Sequence, residues 1–276
     1  MSTTTLHNKL ETRPSIQPVV IWAVLGALFL LLTLYVWLSW IAGPDFKPTA
    51  PPQPLSATTS ALVFWNQFIF CAITAACVLW WTILPKIRTG RFSFMGLLIL
   101  AAGTCYWQDP ISNYYTYGIA YNSGFWNMGS WANYIPGFSY PGQNKFPEAP
   151  LWVGTTYVWF NVAFPAMFSV IWMRINRRFP NAGKASVIVT LLILMFFVDS
   201  IQEIVYIRMG LYSYVGASHK WSVFGGHVYQ FPIYIGVITS FFFLAVTSLV
   251  HFRDDSGFSF AERGIDKLTL DRKSVV

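Results

Sequence analysis

Residues 185–208 read ASVIVTLLILMFFVDSIQEIVYIR. The run is apolar enough and long enough to cross a bilayer, which takes about 20 residues of α-helix. It nevertheless contains two acids, Asp199 and Glu203, four positions apart, so a helix places both on one face, flanked by Gln202 and Tyr206. A carboxylate in hydrocarbon costs about 2.5–3.5 kcal/mol even on lenient scales. Acids retained at such a position mark a task.

Five further apolar stretches surround this one, at 19–42, 61–84, 92–107, 151–173 and 233–252. The chain therefore reads as an all-α, polytopic membrane helix bundle of about six transmembrane helices. Only 11% of its 276 residues are charged, 55% are hydrophobic and 18% aromatic, against about 25% charged in soluble domains. Lys9 and Arg13 precede the first run, which is longer than the about 7–15 residues of a signal-peptide core and so reads as a retained span. One bundle is expected over 1–252, with outer loops at 108–150 and 209–232 and a charged cytoplasmic tail over 253–276. Pro85 should close the second span and Pro110 the third, since proline lacks the N–H a helix needs. Pro165 should kink the fourth.

Charge placement fixes the expected orientation. Of 18 Lys and Arg, only Lys47, Lys145, Arg208 and Lys220 fall on one side; all the others lie in the N-tail, the turns after spans two and four, and the C-tail. Both termini are thus predicted cytoplasmic, in a multi-pass plasma-membrane protein. The net charge of +7 flanks the spans rather than forming a basic, aromatic-studded face, so no nucleic-acid partner is expected. Cys71, Cys77 and Cys105 lie inside apolar stretches and form no C-x-x-C pair. Phosphate-loop, dinucleotide-loop and nucleophile-elbow motifs are absent.

The loop after span three is crowded with rings, among them Tyr114, Tyr121, Trp126 and Trp131. So many aromatics must pack on the bundle, lie in the interface or roof an apolar pocket. Asn122 to Trp126 and Asn127 to Trp131 nearly repeat, suggesting two successive turns that each present an indole. Asp109, read as the end of span three, should meet the negative end of a helix dipole and titrate high, with Asn113 beside it. Asp199 and Glu203 should resist double ionisation and share a proton. A polar clasp pairing them with Arg208 or His227 is the structural alternative. His219 and His227 lack metal-ligand spacing to each other or to the acids, so no metal is expected.

The string Trp107-Gln-Asp-Pro-Ile-Ser-Asn-Tyr114, the Tyr121-Asn-Ser segment, Gly129-Ser-Trp131 and Phe146-Pro-Glu148 together resemble the AveC-like spirocyclase family, bacterial membrane proteins associated with spiroketal formation in macrolide polyketides. The resemblance implies a cyclase, with related dehydratase activity, that needs no redox cofactor. It fits the residues: catalytic Asp199, Glu203 and Asp109, with Asn113, Tyr114, Tyr121, Trp126, Trp131, Gln202, Tyr206 and His227 binding a lipophilic small-molecule substrate. The alternatives are a proton-coupled binder or transporter of lipids or small molecules using the same acids, and a membrane terpene cyclase.

Overall fold

A computed structural model describes residues 17–113, 118–138 and 146–265. The chain is mostly helical, as its composition requires. Five helical segments are long and apolar enough to span a membrane. They are α1 (Pro18–Ile41), α2 (Ala57–Val78) continuing to Thr89, the segment ending in α6 (Thr155–Arg178), α7 (Lys184–Arg208) and α8 (Ile233–His251). The sixth apolar stretch forms α4 (Phe94–Thr104), only 11 residues long, which continues as a 3-10 turn over Tyr106–Gln108 and the short α5 (Asp109–Ile111). Eleven residues rise about 16 Å, half the bilayer core.

Neither Pro85 nor Pro110 ends its helix. Pro85 lacks the N–H that would reach the Trp81 carbonyl. A wider π-helical turn (Leu79–Ile83) absorbs the ring, and the helix goes on as α3 (Leu84–Thr89) until Gly90 stops it at φ +72°. The orphaned Trp81 carbonyl accepts instead from the Ser93 hydroxyl at 2.5 Å. Ser93 also caps α4, accepting from the Gly96 N–H at 3.0 Å. Pro110 sits in the first turn of α5, where its missing N–H costs nothing.

Helix α6 packs against α2, α4 and α8, and α7 packs against α8. Small residues permit the last contact: a Cβ on Gly236 would lie 2.6 Å from the Ser200 Oγ. Helix α1 buries only Thr33, Val36 and Trp40, so it lines the rim of the bundle with its other faces toward lipid. The Thr33 hydroxyl donates to the Thr104 carbonyl at 2.8 Å and ties α1 to the end of α4.

The loops between spans carry two short antiparallel ribbons. Strand β1 (Ile119–Tyr121) pairs with β2 (Tyr212–Tyr214), and β3 (Ser222–Val223) with β4 (Phe231–Pro232). The near-repeat forms two turns of one kind. Asn122 Oδ1 accepts from the Gly124 N–H at 2.9 Å, and Asn127 Oδ1 from the Gly129 N–H at 3.2 Å. Their indoles diverge. Trp131 is 1% exposed, wedged among Trp37, Trp40 and Tyr106, and donates to the Trp107 carbonyl at 2.8 Å. Trp126 is 51% exposed.

Candidate functional site

Between α4, α6, α7 and α8 lies a cavity of about 530 Å³, and Asp109, Asp199 and Glu203 all line it. Its walls are otherwise mainly apolar, from Leu98 and Cys105 on the α4 side to Phe160 on α6 and Ile235 and Phe242 on α8. Asn161 lines it too. Pro165, four residues on, cannot donate to the Asn161 carbonyl, so one helical carbonyl at the wall lacks its usual donor.

The β1–β2 ribbon organises the acids. Side chains alternate along a strand, and the register sets Ile119 opposite Tyr214 and Tyr121 opposite Tyr212, so all four fall on one face. That face turns to the site. The Tyr121 hydroxyl donates to Asp109 Oδ2 at 2.9 Å, and Asn113 Nδ2 donates to the same oxygen at 2.6 Å. From the partner strand, the Tyr212 and Tyr214 hydroxyls both donate to Glu203 Oε2, Tyr214 at 2.6 Å. One ribbon thus holds two carboxyls from two different helical elements.

Asp199 differs. It is 1% exposed and lines the cavity, with Thr239 of α8 beside it, yet neither of its oxygens makes a well-formed hydrogen bond. Among the described residues the one salt bridge is Arg253–Glu262 at 2.9 Å, near the chain's end. The polar clasp is not formed. Arg208 stacks on the Tyr229 ring, 3.7 Å from its centroid, and His227 stacks on the same ring with centroids 4.9 Å apart.

A fourth acid, Glu148, lies against Asp109. It is 1% exposed and accepts from the Ser130 hydroxyl at 3.3 Å through Oε1, while Oε2 has no partner. Burial pushes its carboxyl well above the ordinary range, and the neighbouring Asp109 adds to the shift. Burial also raises Asp109, against the opposing hydrogen bonds from Glu148, Tyr121, Tyr157 and Asn113. Two touching carboxyls, with no cation paired to either among the described residues, retain at least one proton between them. The cause is burial rather than the helix dipole expected from the sequence: Asp109 begins α5 instead of ending a span.

The other sequence-based candidates separate. Asn113 and Tyr121 stand at Asp109 in the main cavity. Gln202 and Tyr206 line a smaller cavity of about 110 Å³, which shares Tyr121 and Glu203 with the first. Trp131 is core packing, Trp126 is exposed, and His227 belongs to the loop between α7 and α8; none lines the acid cavity. The reason is packing: the indoles of the repeat are consumed by, or excluded from, the α1 contact. Tyr114 lies outside the described residues. Sequence reasoning missed Glu148, Tyr157, Tyr212 and Tyr214 as site residues. The alternating Tyr212-Ser-Tyr214 was a readable strand signal, and Glu148 was an acid in a stretch otherwise rich in rings.

Fold and site define a class: a membrane-embedded helical bundle enclosing an acid-lined, apolar-walled cavity. Residues 89–275 match the family model for AveC-like spirocyclases, and the chain belongs to that family. Every residue lining the main cavity falls inside the matched region. Membership supports a cyclase-type enzyme. Comparison with curated proteins and with solved structures finds no match.

Proposed function

We propose that the protein is an acid–base cyclase or dehydratase for a lipophilic, polyoxygenated, polyketide-like substrate, acting in the plasma membrane. The observation that carries this reading is the single cavity shared by Asp109, Asp199 and Glu203. Spiroketal closure condenses two hydroxyls with one ketone and releases one water. Oxidation states do not change, so the step calls for proton transfer and needs no redox cofactor.

In this reading Asp199 is the donor, because it lines the cavity and neither of its buried oxygens is committed to a hydrogen-bond partner. The first hydroxyl adds to the ketone carbon and gives a hemiketal. Asp199 protonates the hemiketal hydroxyl, the C–O bond breaks, and water leaves. The resulting oxocarbenium ion sits between aromatic faces and the carboxyls of Glu203 and Asp109, which attract its charge. The second hydroxyl attacks that carbon and gives its proton to Glu203, whose Oε2 is fixed by two tyrosines. A net proton transfer from Glu203 to Asp199, one helical turn away, restores the start. Dehydration of an alcohol uses the same donor and acceptor without the second attack.

The test is turnover of a dihydroxyketone by the purified protein in lipid nanodiscs, read as a product lighter by one water. Asp199→Asn and Glu203→Gln should each lower the rate by about 10²–10⁴-fold while the protein stays folded. Full activity in both variants removes the pair from the mechanism. Gradient-dependent accumulation of unchanged solute in vesicles would instead identify a transporter.

A further inference from the structure

We propose that the substrate enters this cavity sideways, from the lipid, through a slot between α4 and α8. The inference rests on the cyclase reading and adds the route. On α8 the cavity is lined by Ile235, Ile238, Thr239, Phe242 and Val246, a single helical stripe about 16 Å long. On α4 and the cap residue that follows it, the cavity is lined by Leu98, Ala101, Ala102 and Cys105, again one stripe. The two stripes face one space. Helix α4 packs on α6 and the π-turn after α2, while α8 packs on α6 and α7, so α6 forms the floor between them.

The outer edges of both stripes lie open. Ile238 is 45% and Phe242 43% exposed, and Ala101 is exposed as well. In a membrane those edges meet acyl chains. Helix α4 is too short to screen α8 over the full depth of the bilayer, and alanines keep its edge thin. Thr239, beside Asp199, is the next residue after Ile238, so a ligand passing the slot meets the acids at once. The ribbon and the buried aromatic loop cover the outer end, leaving the lipid side as the apolar approach. A cavity of about 530 Å³ holds a drug-sized group. The remainder of a longer chain would lie in the slot. The substrate class is therefore one that partitions into the bilayer, with its reacting oxygens near one end.

Cys105 lines the cavity and is a native reporter. Replacing the other two thiols, Cys71→Ala and Cys77→Ala, leaves it as the only one in the chain. Reconstituted in liposomes, this variant should react with pyrene maleimide, which partitions into lipid, and at least tenfold more slowly with a membrane-impermeant sulfonated thiosulfonate. Adding Ala101→Trp or Ile238→Trp, at the exposed edges of the two stripes, should slow the pyrene reaction at least tenfold. The idea is overturned if the impermeant reagent reacts as fast, if both tryptophan variants label like their parent, or if neither reagent reaches Cys105. Labelling requires no turnover. Loss of the lateral route with Asp199 dependence intact sinks only the route; loss of Asp199 dependence sinks the cyclase reading whatever the labelling shows.

Discussion

Asp109 and Glu148 show how much one contact changes a residue's meaning. Each alone is a polar side chain near a helix end. In contact at 3% and 1% exposure, with no cation paired to either among the described residues, they hold a proton that the unfolded chain would release. The consequence for stability has a definite sign. Both carboxyls titrate above their ordinary values of 3.8 and 4.5, so the folded state binds more protons than the unfolded one in the window above those values. Their contribution is complete below that window and is lost as pH rises through the elevated folded values. The melting temperature in detergent should therefore fall with rising pH, and Glu148→Gln, a neutral isostere, should flatten the fall. An unchanged slope in the variant would mean that Glu148 does not exchange protons on unfolding.

At the scale of elements, the β1–β2 ribbon is small but positions three tyrosines against two acids. Its closest approach is between glycines: a Cβ on Gly118 would stand 2.6 Å from the Gly216 Cα, and Gly118 adopts φ +54°. Alanine there meets both a clash and a left-handed backbone, which costs about 1–3 kcal/mol. Gly118→Ala is expected to lower the melting temperature and to reduce turnover by loosening Tyr121 from Asp109. Wild-type turnover in a folded Gly118→Ala protein would show that the ribbon is only a cover. The π-turn of residues 79–83 is a second such device: it lets a proline sit within a continuous helix, and Ser93 makes good the lost hydrogen bond.

For the whole molecule, the charge asymmetry supports a proposal that both termini face the cytoplasm. Reporter fusions check it directly. A periplasm-active phosphatase fused after residue 252 should be inactive, and one inserted near Lys220 active; the reverse pattern would invert the bundle. In the proposed orientation the ribbon end of the cavity faces outward, while polyketides are assembled in the cytoplasm. The proposed slot would reconcile the two for the proposed substrate, because a bilayer-dissolved molecule needs no aqueous passage through the loops.

Hydropathy and charge alone determined that the chain is a helical membrane bundle, because only helices satisfy backbone hydrogen bonds in lipid and span length is fixed by bilayer thickness. Spacing on one helix also determined that Asp199 and Glu203 share a face. The tertiary structure decided what spacing cannot encode: that Asp109 comes from another element to the same cavity, that Glu148 backs it, and that tyrosines on two paired strands bind two acids. It separated the two indoles of the repeat, one buried at 1% and one exposed at 51%. It also shortened α4. Those outcomes depend on contacts between segments far apart in the chain, and burial, which sets both charge state and ligand access, exists only once those segments have packed.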